Sequence, residues 1–161
     1  MKPSKRISVI GAGSIGSMFG GLIEFHHPEL EVVLIARGEH CRAMYDRGSI
    51  ELRGDWGRRQ VPIVASSAPA DVVGSDIVLF TVKTQDTRST AMLFADAFGD
   101  AVVVSLQNGI NQHQLSEFVR TDRWMVGITS TNMEIVEPAS WRASERVLVP
   151  SVRFPRTCLP R

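Results

Sequence analysis

The sequence predicts an α/β fold: a doubly wound, mostly parallel β-sheet with helices on both faces. Three observations predict it. Short apolar runs alternate along the chain with longer amphipathic stretches, and strand–helix–strand repetition places parallel strands under crossover helices. A small-residue cluster, Gly11-Ala12-Gly13-Ser14-Ile15-Gly16, stands directly between the first apolar run and the first amphipathic one. About 20 residues further on, the spacing at which a ribose-binding acid usually follows such a cluster, a second apolar run stops at Arg37.

The elements follow in order. Residues 7–10 form a strand. Residues 14–26 form a helix, with Ile15, Met18, Phe19, Leu22 and Ile23 on one side. Residues 32–36 are the second strand, and a short helix spans 39–47. Residues 50–52 and 61–64 read as a hairpin around Gly54-Asp55-Trp56-Gly57. A strand at 76–82, a helix at 85–98, a strand at 101–106 and a helix at 111–119 continue the alternation, and 124–130 is a further strand. Ligands of such sheets lie at the carboxyl ends of the strands. Residues 1–137 are therefore read as one nucleotide-binding domain. Residues 138–161 differ, with prolines at 138, 150, 155 and 160 among five arginines. Apart from a short strand at 147–149, this tail is expected to be irregular.

Composition narrows the function. The chain has 161 residues, 43% hydrophobic and 22% charged, which is a folded rather than a disordered composition. A net charge of +1 gives no electrostatic basis for binding nucleic acid. Residues 7–23 carry no charge and follow a basic start, yet their glycines and serines make a poor signal sequence. No run reaches the ~18 apolar residues of a membrane span. Cys41 and Cys158 form no metal spacing and suit a reducing, cytoplasmic compartment.

The glycine cluster has a mechanism. Gly11 permits the tight turn after the strand, Gly13 lets a pyrophosphate approach the backbone, and Gly16 lets helix and strand pack closely. Phosphates then meet the amides of Ala12 to Gly16 at the positive end of the helix. This is the Rossmann-type dinucleotide arrangement. Arg37 suits a 2′-phosphate, which a carboxylate at that strand end would repel, so the expected cofactor is NADP(H). The plainer reading of Arg37 is a solvated arginine. Lys83 ends the third parallel strand and Asn108 the fourth, so both face the edge where nicotinamide and substrate would rest. Gln107, Thr84 and Thr129 are weaker neighbours. His40 and His113 stand in polar contexts that read as surface, and Cys41 reads as core packing. No residue is assigned as catalytic, with Asn108 and Lys83 the cleft candidates.

Together "ISVIGAGSIGSMFG", "VLIARGEH", "DIVLFTVKTQDT", "VSLQNGI" and "GITSTNMEIVEP", in order over residues 7–138, resemble the N-terminal half of the ketopantoate reductase (2-dehydropantoate 2-reductase) family. The resemblance implies hydride transfer from NADPH to the ketone of a 2-keto acid, as in pantothenate biosynthesis. It implies that Gly11, Gly13 and Gly16 hold the pyrophosphate and Arg37 the 2′-phosphate, with Lys83 and Asn108 lining the nicotinamide and substrate cleft. It also implies a second, helical domain that supplies a general-acid lysine and a substrate-binding glutamate, and residues 138–161 match neither.

Three functions are therefore expected in turn. The first is a shortened reductase of this type, impaired in turnover. The second is a free-standing NADP-binding regulatory or sensing module. The third is a dehydrogenase of the 6-phosphogluconate or 3-hydroxyacid kind. A cofactor domain without its partner domain would leave an apolar cleft face open and invite homo-oligomers.

Overall fold

The computed structural model describes residues 5–54, 57–108, 112–129, 133–137, 139–143 and 151–153. The strands are β1 (Arg6–Ile10), β2 (Glu31–Ile35), β3 (Ser49–Gly54), β4 (Gly57–Pro62), β5 (Val64–Ser66), β6 (Ile77–Phe80), β7 (Val102–Ser105), β8 (Trp124–Ile128), β9 (Met133–Glu137), β10 (Ser140–Ala143) and β11 (Ser151–Arg153). The helices are α1 (Ser14–His26), α2 (Gly38–Arg47), α3 (Thr87–Phe98) and α4 (Gln112–Leu115), with 3-10 turns at Pro69–Val72 and Thr84–Asp86.

Among the described residues the main sheet has the order β11-β8-β7-β6-β1-β2-β5. From β8 to β5 every pairing is parallel, and β11 adds an antiparallel edge. The expected doubly wound α/β fold is the observed one. Its strands are short apolar runs because both faces are covered. Val9, Val32 and Leu34 face the side that carries α1 and α2. Ile10, Val33, Val78 and Phe80 face α3 and α4. Winding reverses beside β1: the chain leaves β1 toward β2 and leaves β6 toward β7. A crevice opens there, at the carboxyl ends of β1 and β6.

α1 is a poor helix in isolation. Its Gly16, Gly20 and Gly21 cost roughly 1 kcal/mol each against alanine. Packing repays them. Met18 is fully buried, and Phe19, Leu22 and Ile23 press on the same cluster. Each well-buried side chain contributes about 1.5–3 kcal/mol, so burial outweighs propensity. The glycines also set the distance. A Cβ at Gly20 would meet Leu34 at 2.4 Å, and one at Gly21 would meet Ile50 at 2.7 Å and Leu52 at 2.8 Å. α1 is thus held between two sheets.

The second sheet, ordered β4-β3-β10-β9, is not foreseen in the sequence. The hairpin is real, with Ser49 opposite Pro62 and Gly54 opposite Gly57, but its second strand stops at Pro62. Val64, read as part of that hairpin, instead opens β5 beside β2 in the main sheet. β10 then pairs parallel to β3 and antiparallel to β9. Its Trp141 is fully buried in the cluster that holds Ile50, Leu52 and Val61. The tail expected to be irregular therefore contains two strands, β10 and β11, because sheet edges already present accept them. The strand expected at 147–149 lies outside the described residues. The fourth helix is shorter than its periodicity predicts. Ser116 Oγ donates to the His113 carbonyl at 3.0 Å, and the Phe118 amide closes a tight turn on Leu115. No helix among the described residues is long and apolar enough to cross a membrane.

Glu51 on β3 is buried, and it is fully bonded. Arg53 Nε donates to Oε1, Arg58 Nε donates to Oε2 at 2.5 Å, and Ser140 Oγ reaches Oε1 at 3.2 Å. Burial pushes its carboxyl up, but the bonds and charges of Arg53 and Arg58 outweigh it and hold it below the ordinary 4.5. A pKa lowered by folding contributes stability that is complete above the unfolded value and lost as pH falls through the folded one. Acid denaturation should therefore begin below about pH 4.5. Glu51→Gln should lower the melting temperature at pH 7 and flatten its fall between about pH 5 and 3. Parallel melting curves for both proteins across that range would show that the carboxylate is not linked to stability.

Candidate functional site

The crevice is built where β1 ends. The amides of Gly11 and Ala12 both donate to the Ile35 carbonyl, at 3.0 and 2.8 Å, which turns the chain off the sheet beside β2. Gly11 holds φ +91°, a conformation that suits glycine, and a Cβ there would lie 2.7 Å from the Val82 backbone nitrogen. Thr81, at the end of β6, donates its hydroxyl to the carbonyls of Gly11 (2.9 Å) and Ile10 (3.1 Å). A Cβ at Gly16 would strike that hydroxyl at 2.5 Å and the Gly11 carbonyl at 2.6 Å. Gly16 is therefore a packing glycine.

Gly13 is different. A Cβ there would meet only the Gly11 carbonyl, at 3.9 Å. Among the described residues nothing needs position 13 to be bare, so the space in front of it is open to a ligand. α1 starts immediately behind, with no side-chain cap and no acid in its first turn. The amides of Ser14, Ile15 and Gly16 have no carbonyl one turn earlier in the helix, and the dipole adds positive potential. That potential faces the open space in front of Gly13.

The cavity in front of this loop measures about 760 Å³. Gly11 to Ile15 line it at one end, Arg37 stands at the end of β2, and Lys83 at the end of β6. Leu93 and Phe94 of α3 give it an apolar wall. Gly16 lies behind the loop rather than on the cavity. Asn108 is exposed at the end of β7 and does not line this cavity, although its carbonyl accepts from Thr84 Oγ1 at 3.2 Å, next to Lys83. Gln107 is buried. Its Nε2 donates to the Val82 carbonyl at 2.9 Å and to Thr87 Oγ1 at 2.7 Å, fixing the corner that presents Lys83. Thr129 is buried as well.

His40 corrects the surface reading of its context. It is half-buried on α2, lines the cavity, and its Nε2 lies 3.1 Å from the Ala12 carbonyl. That carbonyl can only accept, so Nε2 carries the proton. Burial lowers the imidazole pKa more than this bond raises it, which keeps the ring neutral near pH 7. Its other neighbour is Trp141, edge to face at 5.0 Å between centroids. Three further residues escape sequence reasoning: Thr81, Asp86 and the second-sheet Trp141. Asp86 Oδ2 accepts from Arg37 Nη2 at 3.0 Å across the cavity mouth. His40 has a readable signal, three positions after Arg37 on the first turn of a helix pointing at the loop. Thr81 and Asp86 have none.

Residues 7–149 match the family model described as "Ketopantoate reductase PanE/ApbA". The chain belongs to the ketopantoate reductase family. The 2-dehydropantoate 2-reductase of Halobacterium salinarum is 32% identical over 135 residues, 83% of this chain and 44% of the relative. That of Pyrococcus horikoshii is 31% identical over 149 residues, 89% of this chain and 46% of the relative. The crystal structure of a PanE/ApbA family ketopantoate reductase from Ralstonia eutropha superimposes with a TM-score of 0.77 at 33% identity, covering 88% of this chain and 47% of that one. The chain thus spans somewhat less than half the length of these ketopantoate reductases.

The two loop glycines should separate cleanly. Gly16→Val should lower thermal stability substantially, since backbone and Thr81 both stand inside contact distance, and overpacking of this kind costs typically 1–3 kcal/mol. Gly13→Val should melt within about 2 °C of the parent, a shift of well under 1 kcal/mol for a domain this size. A Gly13→Val protein as unstable as Gly16→Val would mean that position 13 is a packing position too.

Proposed function

We propose that this chain is the cofactor-binding part of an NADPH-dependent reductase of 2-keto acids, with 2-dehydropantoate or a close analogue as substrate. Membership of the ketopantoate reductase family supports the reaction. The observation that carries the cofactor reading is the open face of Gly13, before an uncapped helix start, in the same cavity as Arg37. The residues fit a dinucleotide. The amides of Ser14 and Ile15 would take the pyrophosphate, and Arg37 a 2′-phosphate. The apolar wall at Leu93 and Phe94 would exclude water from the bound nucleotide.

When bound, the reduced nicotinamide supplies a hydride to the keto carbon, and the carbonyl oxygen gains a proton to give a 2-hydroxy acid. In this reading Lys83, which lines the cavity, and Asn108, which follows β7 beside it, stand nearest to where nicotinamide and substrate would meet. An ammonium at that edge would attract the substrate carboxylate and the growing alkoxide charge. The proton donor is not assigned to any residue of this chain.

Titration of NADPH and NADH into the chain, with 2-dehydropantoate turnover measured beside it, tests the proposal. Charge-assisted hydrogen bonds are worth ~1.5–3 kcal/mol, so Arg37→Ala should weaken NADPH roughly ten- to hundredfold and NADH much less. Gly13→Val should abolish the binding of both. Equal losses for the two cofactors in Arg37→Ala would refute the 2′-phosphate assignment.

A further inference from the structure

We propose that Asp86 is a second determinant of cofactor choice, set against Arg37 across the same groove; this rests on the dinucleotide reading above. β2 and β6 flank β1 in the sheet, so the residues that follow them flank the glycine loop. Arg37 follows β2 and precedes α2, and Asp86 follows β6 and precedes α3. Both line the cavity, and Arg37 Nη2 donates to Asp86 Oδ2 at 3.0 Å.

The pair is unequal. The Arg37 side chain is 78% exposed and that of Asp86 34%. Asp86 is the more buried member, at the start of α3, and the guanidinium is the more exposed one. Ion pairs this exposed contribute little to folding, so the contact can be remade at small cost. Without ligand, the cation meant for a 2′-phosphate is already neutralised by the protein's own acid.

The two possible ligands then meet this pair differently. A phosphate group carries about −1.5 to −2 charges, and it must either draw the guanidinium off Asp86 or share it. In both cases it comes to rest beside a carboxylate that repels it. A 2′-hydroxyl has a proton to donate, and a carboxylate is the group that dinucleotide folds use to accept it. Here that acid is supplied from the β6 side rather than from the end of β2. The chain therefore carries a phosphate-selecting and a hydroxyl-selecting group on one groove. Its preference for NADPH over NADH is narrower than Arg37 alone would give.

The experiment is a titration of NADPH and NADH into the 161-residue chain, its Asp86→Asn variant and its Asp86→Ser variant. Asp86 makes no side-chain cap bond to its helix, and both replacements are favourable helix N-caps, so the fold should tolerate them. Both variants should bind NADPH roughly three- to tenfold more tightly, with NADH unchanged or weaker. Unchanged or weakened NADPH in the variants, while the parent binds it, would overturn the inference and make Asp86 an organiser of Arg37. If parent and variants bind neither nucleotide, the dinucleotide reading falls and takes this inference with it.

Discussion

How closely α1 can approach the two sheets on either side of it is the constraint on which the rest of the structure depends. Three glycines set those distances: Gly16 against Gly11 and Thr81, Gly20 against Leu34, Gly21 against Ile50 and Leu52. A side chain at any of them would lift the helix from a sheet and carry its first turn away from β1. The amides at the start of α1, the turn at Gly11 and the seat of the second sheet would then move together. Helix propensity is sacrificed for position, and the buried Met18 with the partly buried Phe19, Leu22 and Ile23 makes the exchange favourable.

The charge arrangement follows from the same geometry. α2 and α3 both begin at the crevice, as α1 does, but each begins with an acid. Glu39 lies in the first turn of α2, and Asp86 precedes α3. Only the start of α1 is left without one, among these three helices. His40 adds a neutral donor beneath the loop, bonding the carbonyl of Ala12 that Ser17 Oγ also bonds at 2.9 Å. Through the contact between His40 and Trp141, the loop rests indirectly on β10, and so on the second sheet.

Much of this was legible in the sequence, and the illegible part has a common cause. The central parallel strands β1, β2, β6 and β7 read clearly because each is a short, largely buried apolar run. The positions of Gly11, Gly13, Gly16, Arg37 and Lys83 were legible because each is set by sequence distance from a strand end. β10 was not, since Ser140 to Ala143 is not an apolar run, and its pairing with β9 and with the long-range partner β3 makes it a strand. Asp86 was illegible for the same reason: its meaning lies in Arg37, 49 positions away. Asn108 shows the reverse failure. Its strand-end position was read correctly as an edge, yet the side of the edge on which the main cavity lies depends on the twist of the sheet and the path of α3.

The parallel pairing of β3 with β10 has a consequence for how the molecule is made. Ser140 and Glu51 are opposite one another, 89 positions apart, and the Glu51 amide donates to the Ala139 carbonyl at 3.0 Å. During synthesis the β3–β4 hairpin is complete long before its other edge partner leaves the ribosome. In that interval β3 presents a bare row of peptide groups and the unburied faces of Ile50 and Leu52, a surface on which a neighbouring nascent chain can pair. Arg53 and Arg58 already bracket Glu51 within the hairpin, so the waiting edge carries a cluster of charge that discourages such pairing. Trp141 then acts as a late closure. Among the described residues Trp141 is the last large buried side chain in chain order, and contacts across so long a separation are intrinsically slow to form.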